Sequence, residues 1–133
     1  MNYSMKSIKR MCGNRTFYLA QIMVLDKEIK EIDILMSKPR GPRLEVIGAP
    51  AHNHESHIVD WIERKRVKEQ EKAKLLEKIE KIDRIKELPS PWDAIFWHTF
   101  VLGEPVRPLC KIYGVSKDKY YRMEYLVFAK FTY

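Results

Sequence analysis

Glycine occurs only five times in this chain of 133 residues, too few to furnish the turns of a β-sandwich or barrel. Cysteine occurs twice, at Cys12 and Cys110. Two thiols so far apart match no metal-ligand spacing and build no disulfide framework; they read as small thiols of a reducing compartment. Long apolar runs are missing too: stretches such as 94–96 and 126–129 fall well short of a bilayer span. No apolar stretch follows Lys6, Lys9 and Arg10, so the first residues do not read as a signal peptide. The chain also lacks a glycine-rich phosphate loop, a framed carboxylate pair and a nucleophile with an adjacent base. Together these absences predict a non-enzymatic, cytoplasmic protein with no cofactor, no metal and no membrane partner.

Charge is abundant instead. Charged residues make up 32% of the sequence, and 25 Lys and Arg against 18 Asp and Glu give a net +7 and a pI near 9.4. So high a share of charge with so little glycine points to long, solvent-exposed helices. The basic balance suits a polyanionic partner, nucleic acid above all.

After a basic N-terminal segment, 1–15, the pattern becomes helical. Tyr18, Ile22, Leu25, Ile29, Ile32 and Met36 recur at alternating steps of four and three, an a/d seam. A single amphipathic helix cannot bury its own seam, so these six residues predict a partner helix, from this chain or from a second copy. KPRGPR, at 38–43, then stops the helix, because prolines and a glycine cannot continue it. A connector at 44–56 holds His52 and His54, with His57 beyond it. Three histidines without a fourth ligand do not make a zinc cage, and this stretch reads as a polar surface loop.

Ser56 is placed to cap a second long helix running to about Leu88. Its ends are apolar, with Ile58, Val59, Trp61 and Ile62 at one and Leu75, Leu76, Ile79, Ile82 and Ile85 at the other. Its middle offers only Val67 and Ala73 among charges, and residues 62–90 carry ten Lys and Arg against seven Asp and Glu. Such a helix is either solvated at mid-length or packed through aliphatic side-chain stems. An antiparallel hairpin over 16–88 follows, serving dimerisation or protein contact.

From residue 89 the texture changes. Ser90-Pro91-Trp92-Asp93 reads as a capped start, and Ala94, Ile95, Phe96, Trp97, Phe100, Val101 and Leu102 crowd a short buried helix that Gly103 ends. His98, on that helix, reads as a satisfied core histidine. Glu104-Pro105 opens another helix, where Val106, Leu109, Cys110 and Ile112 can face inward. Pro108 fits only within its first turn, where its missing N–H had no partner. Gly114 then ends that helix, Val115 plugs the gap, and Ser116 caps the next. Short helix, glycine turn, capped helix is the order of a helix-turn-helix. In the final helix Tyr120, Met123, Val127 and Phe131 share a core face, while Lys117, Asp118, Tyr121, Arg122 and Tyr125 look outward, where a major groove would meet them.

The run YGVSKDKYYRM, 113–123, resembles the C-terminal helix-turn-helix of the ArpU/RinA-type late-transcription regulators of phages and prophages. That motif is in turn similar to region four of bacterial sigma factors. The likeness extends to the LDKEI seam at 25–29, the Gly/Pro loop and the IVDWIE opening at 58–63. VRPLCKIYG, 106–114, departs from the pattern, which usually has acids and an Ile-Ala pair there. The resemblance implies an all-α regulator acting in a bacterial host cell: a long helical hairpin, then a helix-turn-helix bundle over 89–133. Ser116 would cap the recognition helix and touch a phosphate, with Lys117, Asp118, Tyr121 and Arg122 facing bases. Lys119, Tyr125 and, at the far end, Lys130 complete the expected double-stranded DNA surface. A homo-oligomer, with host RNA polymerase or another phage protein as a further partner, is the expected assembly. Two rival readings remain: a protein–protein module that modulates another phage regulator without binding DNA, and a small packaging-terminase subunit.

Overall fold

The computed structural model of the chain describes residues 4–37 and 51–132, for 51–57 in backbone only. The fold is all-α, with no strand among the described residues. The helices among the described residues are α1 (Met5–Gly13), α2 (Arg15–Ser37), α3 (Ala51–Asp83), α4 (Trp92–Phe96), α5 (Val106–Tyr113), α6 (Lys117–Met123) and α7 (Tyr125–Thr132). A 3₁₀ segment, Arg84–Glu87, follows α3, and a π-helical turn, Trp97–Val101, follows α4. The chain forms two compact units: Met1–Leu19 with Leu76–Tyr133, and Ala20–Leu75. Both long helices contribute to both units, whereas the sequence reading placed its boundaries at 15/16 and 88/89.

The unit Ala20–Leu75 is an antiparallel helix pair. Ile22, Leu25 and Ile32 of the α2 seam are buried, and Ile29 and Met36 are half-buried. The facing stripe of α3 is Ile58, Trp61, Lys65, Lys68, Lys72 and Leu75, all half-buried and spaced by alternating threes and fours. Three of these inner positions are lysines. Their stems lie along the seam, and their ammonium groups reach the flanking acids of α2: Lys65 to Asp33 at 2.7 Å, Lys68 to Glu28 at 2.7 Å and Lys72 to Asp26 at 2.5 Å. The charged middle of α3 is thus packed through side-chain stems, one of the two alternatives its sequence left open. Part-exposed ion pairs contribute little, and well-packed apolar residues often replace them without loss. Lys68→Leu, which completes the apolar seam while Glu28 keeps access to water, is therefore expected to raise stability by about 1 kcal/mol. A lowered thermal midpoint would show that the ion pair, rather than the stem, holds the seam.

The other unit is built around an aromatic core. Ile8, Cys12, Ile82, Ile85, Leu88, Trp92, Ile95, Phe96, Phe100, Cys110, Tyr120, Val127 and Phe131 form one buried cluster. Phe96 is its hub, with ring centroids 5.7 Å from Trp92, 5.6 Å from Phe100 and 5.2 Å from Tyr120. The N-terminal segment, read in the sequence only as basic, is a helix of this core. Ser4 and Ser7 form a reciprocal capping box, each side chain accepting from the other's backbone N–H at 3.1 Å. Ile8 and Cys12, one turn apart, are fully buried, and burial pushes the Cys12 thiol up to about 12. Arg15 donates from Nε to Asp83 at 2.9 Å, and its guanidinium lies over the Trp97 ring.

Several local expectations are corrected. Ser56 lies inside α3, which already runs from Ala51, so it does not cap that helix. Ser90 caps nothing: the Trp92 N–H closes a turn onto Pro89 O, and Pro91 O accepts the first helical bond, from Ile95. The π-helical turn rotates Leu102 off the buried stripe, and it is exposed. His98 is a rim residue rather than a core one, its Nδ1 2.9 Å from Glu104 Oε2. The connector over 38–50 lies outside the described residues, as do the side chains of His52, His54 and His57; among the described residues no group of three or more His, Cys, Asp and Glu could hold a metal ion. Nor is any described helix long and apolar enough to cross a membrane.

Candidate nucleic-acid interface

The expected DNA-binding residues lie on α5, α6 and α7. Pro105, in extended conformation, precedes α5, and Pro108 is the third residue of that helix. It therefore sits in the first turn, where a missing N–H leaves no carbonyl unpaired. Leu109 and Cys110 are buried and Val106 is half-buried. Ile112, expected inside, is 73% exposed. The inward stripe of α5 ends with Leu109 and Cys110, since Tyr113 beyond Ile112 is exposed as well.

Gly114 then takes the left-handed conformation, φ 67° and ψ 32°. The Val115 N–H donates to Cys110 O at 3.0 Å, a six-to-one closure of the helix end. Val115 itself packs on the aromatic core. A Cβ at Gly114 would meet nothing within 4 Å, so only the backbone conformation opposes a side chain there. Gly114→Ala is accordingly expected to lower stability by about 1 kcal/mol, read as a shift in the denaturation midpoint. An unchanged midpoint would mean that the turn does not require the left-handed backbone.

Ser116 Oγ accepts from the Lys119 N–H at 3.1 Å and so caps α6. Inside, Tyr120 is 2% exposed and donates its hydroxyl to Thr99 Oγ1 at 2.9 Å, while Thr99 donates to Ile95 O at 3.0 Å. Burial pushes the Tyr120 phenol up to about 12 against the opposing effect of the Thr99 hydrogen bond. This contact fixes the rotation of α6 about its axis. Lys117, Asp118, Lys119, Tyr121 and Arg122 consequently stand exposed, in the outward orientation that the alternation of residue types implied.

The final helix is not continuous. At Glu124 the ladder switches to a bond back to Tyr121 O, and α7 starts at Tyr125. The Glu124 carboxylate is turned inward, and Lys9 of α1 approaches its Oε2 at 3.3 Å. That approach supplies compensating charge without hydrogen-bond geometry, since the oxygen is buried and accepts no donor. Tyr125 is exposed beyond the break, continuing the surface of Tyr121. Lys130 stands apart from that set: it is half-buried, and its Nζ pairs with Glu87 of the 3₁₀ segment at 3.3 Å.

What the sequence could not reveal is which charges are spent. Lys9, Arg15 and Lys130 are paired with acids, and Glu104 and Glu124 are taken by His98 and Lys9. Arg107 and Lys111 on α5 and Lys117, Lys119 and Arg122 on α6 are exposed and make no ion pair among the described residues. Asp118 is the single carboxylate among them. Comparison with protein-family models, with curated proteins and with solved structures finds no match for this chain.

Proposed function

We propose that the chain is a non-enzymatic, double-stranded DNA-binding regulator of phage or prophage type, akin to the ArpU/RinA-type late-transcription regulators its 113–123 run resembles. In this reading α6 enters the major groove. The observation that carries it is the set of five exposed cations on α5 and α6 without an ion pair among the described residues, displayed on a glycine-turn pair whose second helix is capped and held by Tyr120. Arg107 and Lys111 contact phosphates and set the register. Lys117, Asp118, Tyr121 and Arg122 meet base edges, an arginine on guanine or an acid on a cytosine amine being the chemistry available. Ser116 serves as the cap, and Lys119 and Tyr125 flank the groove. Lys130, held by Glu87, adds no base contact.

Arg122 is exposed and makes no ion pair among the described residues, so its removal leaves the fold intact. Arg122→Ala is expected to cost about 1–3 kcal/mol on the preferred duplex and to blunt preference at one base pair. Competition between the preferred and scrambled duplexes measures both. An Arg122→Ala protein with undiminished preference would remove α6 from the groove.

A second reading, a module for protein contact, draws on the helix pair. Met23, Val24 and Ile34 on α2 and Val59 and Ile62 on α3 are at least half exposed, although the α2 seam itself is buried. A homo-oligomer, host RNA polymerase or another phage protein would cover them. The two readings coexist if the helix pair recruits a partner to bound DNA. Duplex binding separates them: the module alone has none.

A further inference from the structure

We infer that the outward face of α1, bearing Lys6 and Arg10, is a second DNA contact that grips backbone phosphates beside α6. This inference rests on the DNA-binding reading above. It concerns a helix that neither the sequence resemblance nor the helix-turn-helix includes.

The placement of α1 is fixed from inside. Ile8 and Cys12 are fully buried in the aromatic core, and the helix packs on the π-helical turn and on α7. Lys9 locates it further. Its ammonium lies 3.3 Å from Glu124, the junction residue of α6 and α7, and 5.5 Å from the centroid of the Phe100 ring. One flank of α1 therefore runs along the corner where the recognition helix ends, and Glu124 is two residues from Arg122 and next to Tyr125.

The chemistry of α1 has one sign. No acid occurs in Met5–Gly13. Lys9 is matched by Glu124, but Lys6 and Arg10, one turn apart and exposed, make no ion pair among the described residues. Residues four apart on a helix lie on one side of it, so the two cations act together. One more exposed group at the corner, the phenol of Tyr125, can donate to a phosphate oxygen. Cations held on a helix anchored in the core next to a recognition helix cost no ordering of a flexible arm when they meet the backbone. Such contacts carry no sequence information and register as counterion release.

Binding of the full chain to a random-sequence duplex, measured across a range of salt concentrations, tests this. Lys6→Ala/Arg10→Ala is expected to lower the slope of log affinity against log salt by about 1.8, the release expected from two phosphates. Base preference and thermal midpoint stay as in the parent protein. Lys27→Ala/Lys74→Ala, which removes two exposed lysines of the helix pair that make no ion pair among the described residues, is the charge-matched control and keeps the parent slope. A parent slope in the α1 variant, or an equal loss in the control, overturns the α1 contact while the helix-turn-helix reading stands. A parent protein without duplex affinity at the lowest salt overturns both.

Discussion

Phe96→Ala is expected to lower stability by about 3–5 kcal/mol, a large share of what a domain of this size possesses. Phe96 is fully buried and touches the rings of Trp92, Phe100 and Tyr120. Removing it opens a cavity between α4 and α6 that rigid aromatic neighbours cannot collapse to fill. Tyr120 is the side chain that orients α6, so the exposed set from Lys117 to Arg122 loses its frame as well. Denaturant titration followed by the fluorescence of Trp92 and Trp97 reports the loss. A cost below about 1 kcal/mol would mean that this core relaxes far more than the surveyed large-to-small substitutions.

Ile8→Asp is expected to be at least as damaging, at about 5 kcal/mol. It combines the lost burial of a side chain with no exposed surface with a carboxylate placed in the buried apolar cluster. The same residue in a solvated basic tail would tolerate aspartate without consequence. The effect therefore distinguishes a structural α1 from an accessory segment, and denaturant titration of the full chain reads it directly. Unchanged stability would detach α1 from the core and, with it, the phosphate contact assigned to Lys6 and Arg10.

The parts of this fold that were legible in the sequence are those written in backbone grammar. Gly114 and Ser116 mark a helix end and a helix start through conformational needs that few other residues meet, and both behave accordingly. The α2 seam was legible because Ile22, Leu25 and Ile32 repeat at heptad spacing. The matching seam of α3 was hidden because Lys65, Lys68 and Lys72 occupy its inner positions. A lysine counts as polar in a pattern yet packs through four methylenes. Helix α1 was hidden by its brevity: two buried positions, Ile8 and Cys12, are too few to establish a period among Lys6, Lys9 and Arg10. The break at Glu124 had no local signal at all, since it accompanies a tertiary contact with Lys9. Local propensity is equally silent on which cations are free, because pairing is decided between elements distant in sequence. That is why the sequence does not show that Lys130 is paired with Glu87 while Arg122 makes no ion pair among the described residues.

The most direct test of the central claim is selection of duplexes from a randomised pool by the full chain, followed by salt-dependent titration of the selected sequence against a scrambled one. The account predicts a recoverable preferred sequence, bound about a thousandfold or more tighter than the scrambled duplex, with both affinities falling as salt rises. Recovery of no preferred sequence, together with equal or absent binding of the two duplexes at every salt concentration, would contradict it.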